Sequence, residues 1–204
     1  MKKTVKILAF VLCAVMLVVG SVFGTYAYLT SQTETVKNTF TIGNVTITLD
    51  ETDVDAYGVK DGDTRVTQNE YKLIPNHTYV KDPTIHVKQG SEVCYLFVKI
   101  VNGIADIEGT STIANQLTNN GWTPVTGEAG VYVYNATIDA REAAADVDVK
   151  IFEYFTIAGT ADVSTYATAD NANSIINVTG YAVQADGFAD SAAAWDAVKA
   201  AAFN

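Results

Sequence analysis

The segment VCYLFVKIV, residues 93–101, constrains the fold most, because it is apolar on both faces of an extended chain. Side chains alternate between the two sides of a strand. One side carries Cys94, Leu96, Val98 and Ile100, and the other carries Val93, Tyr95 and Phe97. A strand of this kind is covered on both faces, so the segment predicts a central strand in a layered β fold.

Other short runs rich in Val, Ile, Tyr and Thr predict further strands. They cover residues 45–50, 131–138, 147–157 and 175–185. Another run surrounds Pro83 and carries Val80, Ile85 and Val87, and the proline favours an edge strand or a bulge there. Many short antiparallel strands separated by turn residues indicate a mainly β fold, a jelly roll or β-sandwich.

Two helices are expected among the strands. Residues Ser111–Asn119 place Ile113 and Leu117 four apart, and Asn120-Gly121 provides a stop. A C-terminal helix begins after a cap at Asp190 or Ser191 and continues to Ala202. Its apolar face is expected to carry Ala192, Trp195 and Val198.

The first 27 residues have the anatomy of a secretory signal peptide. Three lysines at positions 2, 3 and 6 precede an uncharged apolar run, which ends in the small-residue site Thr25-Tyr26-Ala27. Cleavage is therefore expected between Ala27 and Tyr28, and the mature protein would be secreted. The alternative is an uncleaved anchor, because residues 7–29 are 23 residues long and long enough to span a bilayer.

Charge and cysteine content restrict the partners and the stabilising bonds. The whole chain has a formal net charge of −10, with 13 basic and 23 acidic residues, and cleavage would remove three lysines, leaving −13. This charge argues against nucleic acid as a partner. Cleavage would also remove Cys13 and leave Cys94 alone, so no internal disulfide is expected. Cys94 faces the predicted core and is interpreted as a buried small hydrophobe rather than a nucleophile.

The segment that follows the leader changes strand phase at Gly43-Asn44. Apolar residues are even-numbered from Val36 to Ile42 and odd-numbered from Val45 to Leu49, so one straight strand cannot keep both sets on one face. We therefore expect an extended arm at residues 28–42 and a folded domain at residues 43–204. The apolar side chains of the arm are Leu29, Val36, Phe40 and Ile42. The arm would pair either with an edge of its own sheet or with a second copy, by donor-strand complementation.

Few residues suggest metal chemistry. The two histidines, His77 and His86, would need a third ligand such as Asp82 to hold zinc, and the spacing does not supply one, so two surface histidines are the favoured interpretation. Asp53, Asp55 and Gly58 resemble the start of a calcium loop. Thr64 stands at the twelfth position, where a bidentate Glu is required, so a solvated acidic loop at residues 50–65 is favoured over a calcium site. We expect neither a resident cofactor nor a catalytic residue.

Several segments resemble one family of exported proteins. The leader ending GTYAYLT, followed by VKNTFTIGNVTITLDE, is similar to the TasA and CalY (camelysin) matrix-fibre proteins of Gram-positive bacteria. Residues 71–103, the segment FEYFTIAG and the stretch from Gly180 to Ala200 also resemble this family, and together these segments cover most of the chain. The leader with NTFTIGNV is the most specific part.

The resemblance implies a jelly-roll domain, a leader cut by a SipW-type signal peptidase, and assembly into fibres of a biofilm matrix. It implies that the segment from Tyr28 to about Ile42 is the donor strand, and that a minor fibre or anchor protein is a further partner. Camelysin was also described as a casein-cleaving metalloprotease, which gives an alternative function, although no zinc-protease motif is present in this sequence.

A third alternative is a monomeric surface adhesin or binding module. Such a module would need an exposed aromatic cluster, and the candidates for it are Trp122, Tyr132, Tyr134 and Tyr154. Tyrosines on strands more often pack against the core, which is the competing interpretation of these side chains.

Overall fold

The computed structural model describes residues 44–166 and 176–202, and these form ten strands and two α-helices. The strands are β1 (Ile47–Val54), β2 (Lys60–Val66), β3 (Thr78–Val80), β4 (Thr84–Val87), β5 (Cys94–Asn102), β6 (Trp122–Pro124), β7 (Val131–Tyr134), β8 (Val147–Lys150), β9 (Tyr154–Thr156) and β10 (Ile176–Gln184). The helices are α1 (Ile113–Asn119) and α2 (Ser191–Ala202).

The predicted signal peptide (1–27) and arm (28–42) lie outside the described residues. The same is true of the predicted cleavage site at Ala27 and Tyr28 and of the arm residues Leu29, Val36, Phe40 and Ile42. Within residues 44–166 and 176–202, neither helix has the length and hydropathy needed to cross a bilayer.

Two four-stranded antiparallel sheets pack face to face. Their strand orders are β2-β1-β4-β8 and β10-β5-β7-β6, and β3 and β9 form a further two-stranded sheet. The core between the layers contains Ile85 and Val87 from β4 and Leu96 and Val98 from β5, all fully buried. This arrangement confirms the predicted mainly β sandwich of antiparallel strands with a mid-chain helix and a C-terminal helix.

Strand β5 lies in the interior of its sheet, as its two apolar faces predicted. Leu96 and Val98 face the core between the sheets. On the other face Phe97 packs against Trp195 of α2, with ring centroids 5.1 Å apart. Helix α2 therefore covers the outer face of this sheet, which explains why β5 is apolar on both sides.

A side chain caps the start of each helix, and the sequence indicated the cap of α2. The Thr112 side chain accepts a hydrogen bond from the Asn115 amide at the start of α1. The Asp190 carboxylate accepts one from the Ala193 amide at the start of α2. The predicted apolar face of α2 is partly wrong, because Ala192 is exposed while Ala194 and Trp195 are buried.

The acidic stretch at residues 50–65 is a hairpin, so the prediction of a loop there is wrong. Strand β1 continues to Val54 and pairs with β2 after a tight turn. The Asp55 carboxylate accepts hydrogen bonds from the amides of Tyr57 and Val59 and closes that turn. Gly58 has a φ of +74°, and a Cβ there would lie 2.7 Å from the Cα of Tyr79, so the turn requires glycine.

The segment around Pro83 is not an edge strand, because β4 lies between β1 and β8. Residues 147–157, predicted as one strand, form β8 and β9. The pairing of β4 with β8 and that of β3 with β9 keep one register, with Thr84 opposite Lys150 and Val80 opposite Tyr154. Proline lacks an N–H group, so Pro83 interrupts one long ladder instead of lying at the edge of a sheet.

Candidate functional site

Strand β1 changes partner halfway along its length. Its first half, from Ile47 to Asp50, pairs with β4, and its second half pairs with β2. The backbone N–H of Lys88 donates to the carbonyl of Thr46. In an antiparallel pair, successive residues of one strand direct their N–H groups alternately toward and away from the partner, so those of Ile47 and Leu49 point away from β4. Among the described strands, none pairs with this side of the first half of β1.

Strand β10 is the edge strand of the second sheet and pairs with β5 along all nine of its residues. The backbone N–H of Ala185 donates to the carbonyl of Val93, so odd-numbered residues of β10 direct their N–H groups toward β5. The N–H groups of Val178, Gly180 and Ala182 therefore point away from β5. No described strand pairs with this side of β10. It presents a row of backbone donors and acceptors longer than the one on β1.

The two open edges lie along the same side of the sandwich. A Cβ at Gly180 of β10 would lie 3.2 Å from Cδ1 of Ile85 and 3.6 Å from Cδ1 of Ile47, so the sheets meet closely here. Six partly buried apolar side chains flank the edges: Val45, Ile47, Leu49, Ile176, Val178 and Ala182. We call these residues, with the open sides of β1 and β10, the open edge. It offers apolar contacts and backbone hydrogen bonds to an added strand.

The outer face of the first sheet carries the outer ion cluster, which consists of Asp50, Arg65, Asp82, His86 and Asp148. His86 Nε2 lies 2.9 Å from Asp50 Oδ1, and Nδ1 lies 2.6 Å from Asp148 Oδ1. Arg65 contacts Asp50, and its Nη1 lies 3.2 Å from Asp82 Oδ2. The cluster thus joins the strands β2, β1, β4 and β8 through their side chains.

The cluster shifts the pKa of its central members. Burial alone would lower the pKa of His86, but the hydrogen bonds and charges of Asp50 and Asp148 outweigh it and raise that pKa above 6.5. Burial alone would raise the pKa of Asp50, yet Arg65 and His86 outweigh it and lower that pKa below 3.8. The charged forms of both groups are therefore favoured in the folded protein.

The structure places His86 and Asp82 in the outer ion cluster but does not bring His77 to them. His77 Nε2 lies 2.8 Å from the carbonyl of Tyr57, and the His77 ring packs edge-on to Tyr79. The two nitrogens of His86 face different carboxylates, and Asp82 binds Thr52 and Arg65. Within residues 44–166 and 176–202, no group of three or more His, Cys, Asp or Glu side chains is arranged to hold a metal ion.

Cys94 is fully buried in the core, which confirms its interpretation as a small hydrophobe. Burial raises the pKa of its thiol to about 11, so the thiolate is scarce at neutral pH. Cys94 is therefore not placed to act as a nucleophile.

The four aromatic candidates do not form an exposed cluster. Trp122 is fully buried, and its Nε1 donates to the carbonyl of Lys150 at 3.0 Å. The Tyr154 hydroxyl is hydrogen-bonded to Ser111, and Tyr132 and Tyr134 pack partly buried against the core. These side chains support the sandwich, as the competing interpretation predicted.

A second charged group, the inner ion cluster, was not predicted from the sequence. It consists of Glu51, Asn69 and Lys81, with Tyr71 beside them. Lys81 Nζ lies 2.6 Å from Glu51 Oε2, and Asn69 Nδ2 lies 3.0 Å from Glu51 Oε1. The alternation of Ile47, Leu49 and Glu51 along β1 was the available signal, since it places Glu51 on the inward face.

Comparison with known proteins gives no family for this chain. It matches no protein-family model, no curated protein and no solved structure.

Proposed function

We propose that this protein is a secreted structural subunit that assembles head-to-tail into extracellular fibres of a biofilm matrix. The mature N-terminal arm, residues 28–42, would be the donor strand, inserted into the next copy. The open edge carries this proposal, because it combines unpaired backbone groups with partly exposed apolar side chains. The resemblance to TasA and CalY (camelysin) supports the same function and a leader cut by a SipW-type signal peptidase.

The accepting strand in this proposal is β10. Its open side is nine residues long, whereas the open part of β1 covers only the four residues from Ile47 to Asp50. A donor strand on β10 would form main-chain hydrogen bonds with alternate residues such as Val178 and Gly180. Its apolar side chains would pack against those of the open edge.

The apolar side chains of the arm would supply the binding free energy. Burying Leu29, Val36, Phe40 and Ile42 contributes roughly 6–12 kcal/mol as an upper limit, before the entropy cost of association. Insertion of each arm into the next copy is a heterologous contact, which generates an open filament when the rotation does not close a ring. A minor fibre or anchor protein would end such a filament.

A structural role is favoured over the metalloprotease alternative. Within the described residues, His77 and His86 have different partners, and no carboxylate lies between them as a shared ligand or general base. We therefore propose no catalytic residue and no cofactor for this protein.

The test compares two purified chains by negative-stain electron microscopy, residues 28–204 and residues 43–204. We expect filaments from the longer chain and single particles from the shorter one. Single particles from both chains, across salt and acid conditions, would refute the fibre proposal and would favour an arm that pairs with its own sheet. Filaments from both chains would refute the role of the arm.

A matched pair of variants tests the accepting edge in the longer chain. Ala182→Pro removes an N–H group that points away from β5, so it should abolish filaments while the monomer stays folded. Ala182→Ser keeps that N–H group and should still form filaments. Filaments from the proline variant would exclude β10 as the acceptor.

A further inference from the structure

The inner ion cluster brings together a buried amine, a buried carboxyl group and a partly buried carboxamide. Glu51 touches both of the others, with one oxygen 2.6 Å from Lys81 Nζ and the other 3.0 Å from Asn69 Nδ2. Glu51 is 4% exposed and Lys81 is 8% exposed. A single carboxyl group is thus positioned to pass a proton between the two nitrogens.

A group of packed aromatic side chains lies beside this cluster. Lys81 Nζ lies 5.8 Å from the centroid of the Tyr71 ring, which packs edge-on against Tyr79 and Phe155. Burial, followed by the charge of Glu51, raises the pKa of Tyr71 above its usual value of 10.0. In such surroundings the charged pair has lost much of its hydration, so each group depends on its contact with the other.

The amide of Asn69 is held in a defined orientation. Its Oδ1 accepts a hydrogen bond from the Val54 amide at 3.0 Å, and its Nδ2 donates to the Thr52 carbonyl at 2.8 Å. The N–H group of Val54 requires an acceptor opposite it, and this assigns the oxygen and the nitrogen of the Asn69 side-chain amide. The same N–H group would stabilise negative charge that develops on Oδ1 during attack on Cγ.

We propose that Lys81 and Asn69 become joined by an intramolecular isopeptide bond, with Glu51 as the group that carries the proton. Glu51 takes a proton from the Lys81 ammonium, and the neutral amine attacks Cγ of Asn69. The new Nζ–Cγ bond forms and the Cγ–Nδ2 bond breaks. Nδ2 takes up one proton from the attacking nitrogen and leaves as ammonia, while Glu51 keeps the other proton. No unpaired charge is left in the buried site, and the step needs neither an oxidant nor a further reactant.

The bond would close a loop that runs from Asn69 to Lys81, beside the first sheet. Asn69 follows β2 and Lys81 follows β3, so the link would tie together two segments that both pack beside Glu51 of β1. Closure of this loop would stabilise the protein chiefly by restricting the unfolded chain, as a disulfide does. It would offer a covalent constraint in a mature chain with a single cysteine.

The test is the intact mass of the folded, full-length protein, with and without its leader. We expect a mass lower than that of the sequence by one ammonia molecule. Trypsin should release a branched peptide in which residues 66–72 are joined to residues 73–88, because cleavage after Lys72 separates the two and acylated Lys81 is not cut. Lys81→Arg and Glu51→Gln should restore the full mass. Lys72→Arg, at an exposed lysine outside the cluster, should keep the deficit.

Two outcomes would overturn the proposal. Full mass in the folded wild-type protein after prolonged incubation, without a branched peptide, would mean that the cluster is an ion pair only. A deficit that persists in Lys81→Arg would instead indicate ring closure of Asn69 onto its own backbone. If Lys81→Arg fails to fold, Glu51→Gln and the branched peptide of the wild-type protein still decide the question.

Discussion

Two ion clusters lie on opposite faces of one strand, and adjacent residues of β1 belong to them. Asp50 points outward to Arg65 and His86, whereas Glu51 points inward to Lys81. The side chains of Glu51 and Lys81 are 5% and 10% exposed, and those of Asp50 and Arg65 are 26% and 33% exposed. The residue types are similar, and the difference lies in how much water reaches them.

This contrast separates two uses of charge in the same sheet. In the outer ion cluster, water and salt screen the charges, so each pair contributes little and responds to conditions. In the inner ion cluster, either charge without its partner would be strongly unfavourable. Removing one charge of the inner pair is therefore strongly destabilising, while removing one charge of the outer cluster has a small effect on stability.

The largest effect is expected from breaking the inner pair. Lys81→Met leaves Glu51 buried without a cation and also removes the amine of the proposed isopeptide bond, so it should lower the free energy of unfolding by at least about 3–5 kcal/mol. Denaturant titration measures this loss.

The double variant Glu51→Leu/Lys81→Met is the control for that loss. Because it removes both charges together, it should be more stable than the single variant. A double variant no more stable than Lys81→Met would show that packing around the lysine stem, and not the unpaired charge, sets the loss.

A smaller effect is expected in the outer ion cluster. Arg65→Ala removes contacts to Asp50 and Asp82 and should lower the free energy of unfolding by about 1 kcal/mol at low salt, and by less at high salt. Arg141→Ala is the matched control, since Arg141 pairs with Asp139 at the surface and should show no measurable change. If the loss of unfolding free energy in Arg65→Ala does not vary with salt, the charges of the outer ion cluster are shielded from solvent in the same way as those of the inner one.

The smallest effect is expected at His86 and depends on pH. Because the folded protein raises the pKa of His86, this residue stabilises it most below pH 6.5, and the contribution is lost as pH rises through the folded pKa. At these pH values Asp50 stays ionised, because its folded pKa is lowered. The stability difference between wild type and His86→Asn should therefore shrink from about pH 5.5 to about pH 8.5. A difference that does not change over this range would contradict the proposed role of the two carboxylates.

Patterns that are local in the chain predicted their structures well. Strand β5 and helix α1 each bury a set of residues with a clear period, so Leu96 and Leu117 could be placed in the core from spacing alone. The same reasoning placed Cys94 in the core and located the cap of α2.

Features that depend on distant partners could not be predicted in this way. Glu51 breaks the apolar alternation of β1, so the pattern predicts a loop where the second half of the strand lies. Its cation, Lys81, is 30 positions away, and nothing in one sequence pairs the two. Pro83 suggested an edge because proline lacks an N–H group, but the strand that follows it lies inside the sheet.

The open side of β10 has a consequence for how this strand exchanges its amide hydrogens. Odd-numbered residues such as Thr179 and Tyr181 direct their N–H groups to β5, and even-numbered ones such as Val178 and Gly180 direct theirs outward. Deuterium should therefore enter at every second residue while the edge is uncovered, and stop entering there once a strand is added. A single strand would in this way report, residue by residue, whether its neighbour is present.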